Sequence, residues 1–340
     1  MSADAGAGAR PTARELLERV AGPHGLLGLG GGPLGNHGVA IDDEQARRTI
    51  DRAWDRGIRY LDTAPHYGLG LAERRVGAAL RERPRDEYVL SSKVGRLIVP
   101  NPTPRDRDYD GFDVPGDLTR RWDFSAAGVE RSLTESLERL GLDSVDILFA
   151  HDPDQAPGNP IREGLRSLAR LKAAGLVSAI GVGTNSADGL AELIDEGLVD
   201  VIMLANRYSL LEHNGLERVL EPARRAGVAV VCVGVFATGL LSTPQPDPSA
   251  TYEYAPVDAA VLDRANRIAA ICRDHGVALP AAALAFPRLH PAVVGVAVGM
   301  RSPEEVDQDV ERFEAEIPSA LWRDLVREGL IPAAAVGDAA

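Results

Sequence analysis

Eight short runs of apolar and β-branched residues recur along the 340-residue chain, and helical patterns lie between most of them. Apolar residues spaced three or four positions apart predict amphipathic helices, as in the pattern at 125–140 that opens on Ser125. Repeated alternation of strand and helix predicts an α/β fold, a (β/α)8 TIM barrel with long loops at its C-terminal face. The runs span residues 27–31, 58–61, 88–91, 145–150, 177–182, 199–204, 228–235 and 293–298.

An open, doubly wound sheet is the main alternative to a barrel, and it would carry a glycine fingerprint directly between its first strand and helix. Residues 28–35 read GLGGGPLG, but Pro33 and the distance to the helical pattern near Glu44 do not fit that fingerprint. The chain length suits a single barrel domain over residues 11–330. Both ends are rich in small residues, so we expect disorder at residues 1–10 and in a tail at 331–340.

The composition argues against several classes of function. A formal net charge of −13 disfavours nucleic acid or an anionic membrane surface as the main partner, because both bind through basic patches. Cys232 and Cys272 have neither a zinc-site nor a disulfide-framework spacing, so we expect no metal and a cytoplasmic protein. We find no signal peptide and no apolar run of about 18 residues. The expected partner is a small molecule, and the oligomeric state stays open.

Charged side chains at the ends of the predicted strands are the candidates for chemistry, since the working face of such a barrel lies there. Asp62 follows the second run with Tyr67 in the same loop, Lys93 follows the third run, and His151 follows the fourth. Any one of them alone is equally well explained as a turn former or a packed core group. Consecutive strand ends that deliver Asp, Lys and His beside a Tyr are a stronger signal, and they predict one active site.

These four residues suit the interconversion of an alcohol and a carbonyl. A phenol has a pKa near ~10, and a neighbouring ammonium such as Lys93 lowers it. The carboxylate of Asp62 would keep Lys93 charged, and His151 can donate to a carbonyl oxygen, so the set forms an acid–base relay. None of these groups supplies a hydride, so we expect a nicotinamide cofactor.

Two stretches are longer than the barrel plan requires. Residues 96–122 are rich in Pro, Asp and Arg and carry Tyr109, Phe112 and Trp122. Loops of this length are often functional, and the aromatic residues favour a lid over a substrate pocket, although a surface loop with packed rings stays an alternative. Residues 241–256, with prolines at 244, 246, 248 and 256, are predicted to form a second, mobile segment.

Six motifs along the chain together form a combination that is typical of one family. They are GLGGGPLG at 28–35, DTAPHYGLGLAERRVGAAL at 62–80, SSKVG at 91–95, SLTESLERLGLDSVDILFAHDPD at 132–154, GVGTNS at 181–186 and GMRSPEEVDQDV at 299–310. With these motifs, the chain resembles the aldo-keto reductase superfamily over most of residues 25–315. APHYGLG, the long segment after Lys93 and GVFATGLLS at 234–242 look most like its bacterial sugar-dehydrogenase branch, which includes L-fucose, D-threo-aldose and pyridoxal dehydrogenases.

The resemblance implies an NAD(P)-dependent oxidoreductase and a role for each of the four residues. Tyr67 would be the general acid/base, with Lys93 and Asp62 as the pair that tunes it and His151 as the group that orients the carbonyl. For the sugar-dehydrogenase branch, the implied reaction is oxidation of the C1 hydroxyl of an aldose, of L-fucose or D-threo-aldose type, to a lactone.

The resemblance also implies a dinucleotide site. Thr184 and Asn185 match the positions that hold the nicotinamide carboxamide. Ala205 replaces the usual glutamine and Val233 the tyrosine that often stacks under the ring, so the packing of the nicotinamide is left open. The implied cofactor-binding residues are Gly31, Thr184, Asn185, Val235, Phe236, Gly239, Leu241, Gly299, Met300, Arg301, Glu305, Gln308 and Asp309.

The segment 299–309 matches the adenosine-phosphate site and predicts NAD over NADP. Gly299, Met300 and Glu305 stand where NADPH-selective relatives carry a basic and hydroxyl pair and an arginine. A carboxylate near the ribose would repel a 2′-phosphate and could accept from a 2′-hydroxyl. Arg301 keeps NADP possible, because it could pair with a phosphate.

Other functions stay open. The same enzyme class could act as an NADPH-dependent aldehyde or ketone reductase, or as a pyridoxal 4-dehydrogenase. A Schiff-base aldolase on Lys93 would be a different class, and a non-catalytic nicotinamide-binding regulatory subunit another. His66, Trp122 and Phe124 are the candidates for substrate contact, and packing explains each of them equally well.

Overall fold

The predicted barrel is confirmed by a computed structural model, which describes residues 11–253 and 255–337. Eight parallel strands close in the order β1-β12-β9-β8-β7-β6-β3-β2, and each predicted run overlaps one of them. The remaining strands form two small antiparallel pairs. In chain order the strands are β1 Leu26–Gly30, β2 Tyr60–Asp62, β3 Val89–Val94, β4 Arg96–Arg105, β5 Gly116–Trp122, β6 Ile147–His151, β7 Ala179–Thr184, β8 Val201–Ala205, β9 Ala229–Val233, β10 Thr251–Tyr252, β11 Ala255–Pro256 and β12 Val293–Gly299.

Helices pack around the barrel strands, as the apolar periodicity predicts. The fourth helix begins where the Ser125 side chain accepts a hydrogen bond from Gly128 N, and it ends at Gly141 in the left-handed region. The helices are α1 Ala13–Arg19, α2 Asp43–Asp55, α3 Leu71–Leu80, α4 Ala126–Leu140, α5 Ile161–Ala173, α6 Leu190–Asp195, α7 Glu221–Ala226, α8 Ala259–Asp274, α9 Leu279–Ala285, α10 Pro303–Glu314 and α11 Ser319–Arg327.

The apolar core of the barrel has two main layers, and Leu69, Phe112 and Val114 form a small separate cluster. The larger layer fills the space between the strands and the surrounding helices. The smaller layer lies inside the barrel, where Tyr60 and Phe149 pack with Leu16 and Leu17 of α1. Because α1 closes the N-terminal end with apolar side chains, the polar groups of the barrel interior collect at the C-terminal end.

The segment 96–122 differs from the predicted loop, because β4 and β5 pair in it as an antiparallel hairpin with Arg96 opposite Trp122. Prolines at positions 100, 102 and 104 lack the N–H group that donates to a strand ladder. Both strands of a two-stranded hairpin are edge strands, however. A proline whose missing N–H would face away from the partner strand therefore costs no hydrogen bond between strands. The segment 241–256 contains the short β10–β11 pair.

The chain ends differ in what the structure describes. The predicted disordered segment 1–10 lies outside the described residues. Within the predicted tail, Ala333–Ala335 form a 3-10 helix and Val336 is buried, which differs from the expected disorder. Among the residues that the structure describes, no single helix has the length and apolar character to cross a membrane, although α8 and Leu279–Leu289 together pass that test as a bent pair.

Candidate active site

A buried ion pair between Asp62 and Lys93 lies at the C-terminal end of the barrel. Asp62 ends β2, Lys93 lies in β3, and their side chains are 4 % and 2 % exposed. Lys93 Nζ donates to Asp62 Oδ2 and, at 3.1 Å, to the carbonyl of Thr63, while Ser91 Oγ donates to Asp62 Oδ1 at 2.7 Å. Burial lowers the pKa of Lys93, but Asp62 and Tyr67 raise it by more, so the lysine is charged.

Tyr67 lies beside this pair, in the loop between β2 and α3. Lys93 Nζ is 4.7 Å from the centroid of the phenol ring. Burial raises the pKa of Tyr67 to about 12, and the ammonium of Lys93 opposes that rise only in part. Lys93 therefore acts in the direction that the sequence predicts, but desolvation of the phenolate is the larger effect.

His151 completes the group from the end of β6. Its ring and that of Tyr67 meet edge to face with centroids 5.8 Å apart. Burial, followed by the positive charges of Arg96 and Lys93, holds the pKa of His151 well below its usual range, so the imidazole is neutral. A neutral imidazole can donate one hydrogen bond to a substrate oxygen. The structure thus brings together the four residues that the sequence singled out.

Three charged residues of the site were missed at the sequence level. Arg96 Nη2 donates to Asp152 Oδ2 at 2.7 Å, and Arg120 Nη2 donates to the carbonyl of His66 at 2.8 Å. Asp152 directly follows His151, and Arg96 closely follows Lys93, so proximity in the sequence was the available signal. The pairing itself depends on the β4–β5 hairpin, which the sequence did not predict.

The candidates for substrate contact have different surroundings. His66 is half-buried with its ring 5.4 Å from that of His151, and burial with the nearby Arg96 lowers its pKa to about 2. Trp122 is half-buried beneath the guanidinium of Arg96. Phe124 is 3 % exposed and stacks on Trp122, and a Cβ added at Gly95 would lie 2.1 Å from its ring. Phe124 therefore supports Trp122 from below.

The residues that match the nicotinamide site lie where β7 ends, with Thr184 as its last residue and Asn185 directly after it. Thr184 Oγ1 donates to Asp154 Oδ1 at 2.6 Å, and the carbonyl of Asn185 accepts from Arg207. A cavity of about 180 Å³ borders Thr184 and Asp154. Asn206, which the sequence reasoning passed over, follows β8 with a buried Oδ1 that has no hydrogen-bond partner in the described part of the chain.

The candidates after β9 are mainly packed residues. Val235 and Leu241 are buried, Phe236 is half-buried, and Gly239 is exposed with a φ of 102°. Their backbone groups, rather than the buried side chains, are the parts left to meet a ligand. Gly31 is required by packing, since a Cβ there would lie 2.6 Å from the carbonyl of Asp62.

The candidate cofactor-binding residues before and within α10 are also partly buried and partly exposed. Met300 is fully buried, and Asp309 is buried beside Arg312. The carboxylate of Glu305 accepts from Arg301 N at 2.8 Å and lies 3.3 Å from Arg301 Nε. Gly299 and Gln308 are exposed. Within residues 11–253 and 255–337, no group of three or more His, Cys, Asp or Glu side chains is arranged to hold a metal ion.

Comparison with known proteins gives consistent matches. The family model described as Aldo/keto reductase family matches residues 26–327. A D-threo-aldose 1-dehydrogenase from a Pseudomonas species is 44 % identical over 90 % of this chain and 94 % of its own. A pyridoxal 4-dehydrogenase from Microbacterium luteolum is 36 % identical over 92 % and 98 %. The holo structure of the aldo-keto reductase AKR11C1 from Bacillus halodurans aligns with a TM-score of 0.69 at 27 % identity, covering 90 % and 92 %.

Proposed function

This chain belongs to the aldo/keto reductase family of oxidoreductases, and on that premise we propose that it oxidises the C1 hydroxyl of an aldose to a lactone with NAD as the hydride acceptor. The observation that carries the proposal is the buried Asp62–Lys93 pair beside Tyr67, with neutral His151 on the same phenol ring. The 44 % identical relative is named as a D-threo-aldose 1-dehydrogenase, which supports an aldose as the substrate class.

The four side chains have separate tasks in this reaction. Tyr67, as the phenolate, takes the proton from the O1 hydroxyl while the hydride leaves C1, so the sugar loses two electrons and becomes the lactone. Lys93 stabilises the phenolate, and Asp62 keeps Lys93 charged. His151 donates to O1 and holds it toward Tyr67. The bound nicotinamide supplies the hydride acceptor.

The polar groups after β7 and β8 fit a carboxamide. The orphaned Oδ1 of Asn206 is a buried acceptor, and a primary amide offers two donors. We assign Thr184, Asn185 and Asn206 to this part of the cofactor. Asn206 then takes over the task of the glutamine that Ala205 replaces.

The proposal favours NAD over NADP because of Glu305. Its carboxylate pairs with Arg301, so a 2′-phosphate would meet a negative charge and an arginine that is already engaged. Glu305→Gln should raise kcat/KM with NADP relative to NAD by several-fold, and an unchanged ratio would contradict this assignment. Glu304→Gln is the matched control, because Glu304 is an exposed neighbour on the same helix.

Three alternatives to the sugar dehydrogenase make different predictions. An aldolase needs the neutral amine of Lys93 as a nucleophile, and the ion pair with Asp62 keeps it protonated. Pyridoxal is favoured as a second substrate by the 36 % identical relative. An NADPH-dependent reductase would run the same chemistry in the opposite direction.

The test is a dehydrogenase assay over a panel of aldoses, including L-fucose and D-arabinose, and pyridoxal. Each substrate is mixed with NAD or NADP at equal concentration, and the absorbance of the reduced cofactor is followed. The proposal expects the largest rate with an aldose and NAD. A rate confined to pyridoxal supports the second candidate, and no signal with any aldose would refute the proposal.

A further inference from the structure

The carboxylate beside His151 is shared with an arginine. Asp152 Oδ2 lies 3.6 Å from His151 Nε2 and 2.7 Å from Arg96 Nη2. The Arg96 and Asp152 side chains are 11 % and 18 % exposed, so both charges are largely withdrawn from water. A buried carboxylate interacts strongly with whichever cation or donor is closest. In this structure that group is Arg96.

Arg96 is held in place by three contacts. Its Nη2 also donates to Gln155 Oε1 at 3.2 Å, and its guanidinium lies 4.3 Å above the centroid of the Trp122 ring. Asp152 is fixed as well, because its N–H donates to the carbonyl of Gly183 at 2.8 Å and its backbone is left-handed with a φ of 43°. Non-glycine residues in this conformation need support from their surroundings. The pair is therefore built into the barrel rim.

We propose that Arg96 is a positioning residue that diverts the carboxylate of Asp152 from His151, so that Nε2 of His151 stays free to donate to the substrate oxygen. Without Arg96, the nearest donor to Asp152 would be His151, and an imidazolium–carboxylate pair would form. That pair would engage the nitrogen that the reaction needs. The inference rests on the proposed role of His151.

The remaining groups around His151 do not replace this function. Lys93, Arg120, His66 and Tyr67 all face the same cluster, and Arg120 is engaged with Asp108 and the carbonyl of His66. None of these four side chains donates a hydrogen bond to the Asp152 carboxylate in the described part of the chain. They add to the positive surroundings of His151, whereas Arg96 alone both adds positive charge and occupies the carboxylate.

The test uses ring-nitrogen NMR of the full chain labelled at histidine, with the His151 signals assigned from a His151→Asn variant. We expect His151 to stay neutral to below pH 6 in the wild type. Arg96→Met should raise its titration midpoint, because a positive charge beside the ring is lost and the carboxylate of Asp152 is freed. Arg96→Met combined with Asp152→Asn should return His151 to the neutral state, because the carboxylate is gone.

Two further variants separate this effect from general damage to the hairpin. Arg96→Lys keeps the charge and should keep His151 neutral. Arg120→Met removes a hairpin cation of similar burial and should shift the titration of His151 less than Arg96→Met does. An unchanged midpoint in Arg96→Met, an equal shift in Arg120→Met, or no recovery in the double variant would overturn the inference.

Turnover gives the functional readout. Arg96→Met should lower the ratio of kcat/KM at pH 6 to kcat/KM at pH 9 by about tenfold compared with the same ratio in the wild type. Asp152→Asn in the same chain should restore most of this ratio. The NMR measurement needs no substrate, so it still tests the pair if the proposed aldose oxidation proves wrong. A pH ratio that matches the wild type in Arg96→Met would contradict the positioning role.

Discussion

Two neighbouring serines of β3 mark two buried ion pairs with different surroundings. Ser91 donates to Asp62, the partner of Lys93, inside the barrel. Ser92 points to the opposite side of the strand and donates at 3.4 Å to Glu73, whose other oxygen accepts from Arg139 at 2.5 Å. Both carboxylates are buried, but only the inward pair has a phenol beside it.

The comparison shows that a buried ion pair can take part in a reaction only when a reacting group lies beside it. The outward pair lies between α3 and α4, and Ser92 is an additional donor to its carboxylate. Such pairs contribute little net stability, although removing one partner is costly. Removing one partner of the inward pair is costly in the same way. Its ammonium also faces Tyr67, however, and can stabilise a phenolate. We infer that the inward pair serves the reaction and the outward pair serves the packing of the helices.

The largest expected effect comes from removing the phenol beside the inward pair. Tyr67→Phe should lower kcat by roughly 10³-fold, because the proton acceptor is lost, while NAD binding stays nearly unchanged. Steady-state kinetics and a calorimetric NAD titration measure the two quantities. Tyr60→Phe is the matched control, since its buried hydroxyl only bonds to Ser91 at 3.0 Å and should have little effect on kcat. Comparable losses in both variants would contradict the assignment.

The next largest effect distinguishes the two ion pairs by removing the cation of each. Lys93→Met and Arg139→Met should each destabilise the fold by several kcal/mol, about 3–5 for a fully buried pair and less for Arg139, which is 17 % exposed. Only Lys93→Met should also lower kcat, by roughly 10²-fold or more. Urea unfolding and kcat of the folded fraction provide the two readouts. A similar loss of kcat in Arg139→Met would remove the distinction.

The pH dependence sharpens the role of Tyr67. Burial raises its pKa to about 12, so the phenolate is scarce at neutral pH and its fraction grows tenfold per pH unit below that value. For aldose oxidation, log kcat/KM should therefore rise with pH from 7 to 10 without reaching a plateau. A plateau from neutral pH upward would show that the base is another group or that hydride transfer is not limiting.

The smallest expected effect concerns the outward pair. Burial raises the pKa of Glu73 above its unfolded value of 4.5, so the folded state binds that proton more tightly. The stability from this group is present at acid pH and is lost as pH rises through the folded pKa. Glu73→Gln cannot ionise, so its stability relative to the wild type should increase as pH rises. Urea midpoints between pH 4.5 and 8 measure this, and a decrease with pH would contradict the sign.

The barrel and the proximity of the four central residues could be predicted because their signals are local. Each strand of the barrel has its own apolar run, and Asp62, Lys93 and His151 lie at or just after the end of one. The parallel arrangement then brings strand ends together, whatever the details of the loops. The motifs supplied the family, and the family model matches residues 26–327.

The hairpin and the Arg96–Asp152 pair could not be predicted because they depend on contacts between distant segments. The prolines of β4 read as loop, and only the pairing with β5 makes them edge positions. The high pKa of Tyr67 was also missed, since the sequence shows a neighbouring lysine but not the loss of water around the ring. Met300 and Asp309 match the family motif, yet their burial emerges only from the fold.

The most direct test of the proposed function follows the hydrogen at C1 of the sugar. A C1-deuterated aldose, chosen as the fastest substrate of the panel, is mixed with the enzyme and NAD, and both products are examined by mass spectrometry. The expected result is deuterium on the reduced nicotinamide together with an undeuterated lactone, and transfer roughly 10³-fold slower with Tyr67→Phe. Reduced cofactor without deuterium, or transfer by Tyr67→Phe at the wild-type rate, would contradict it.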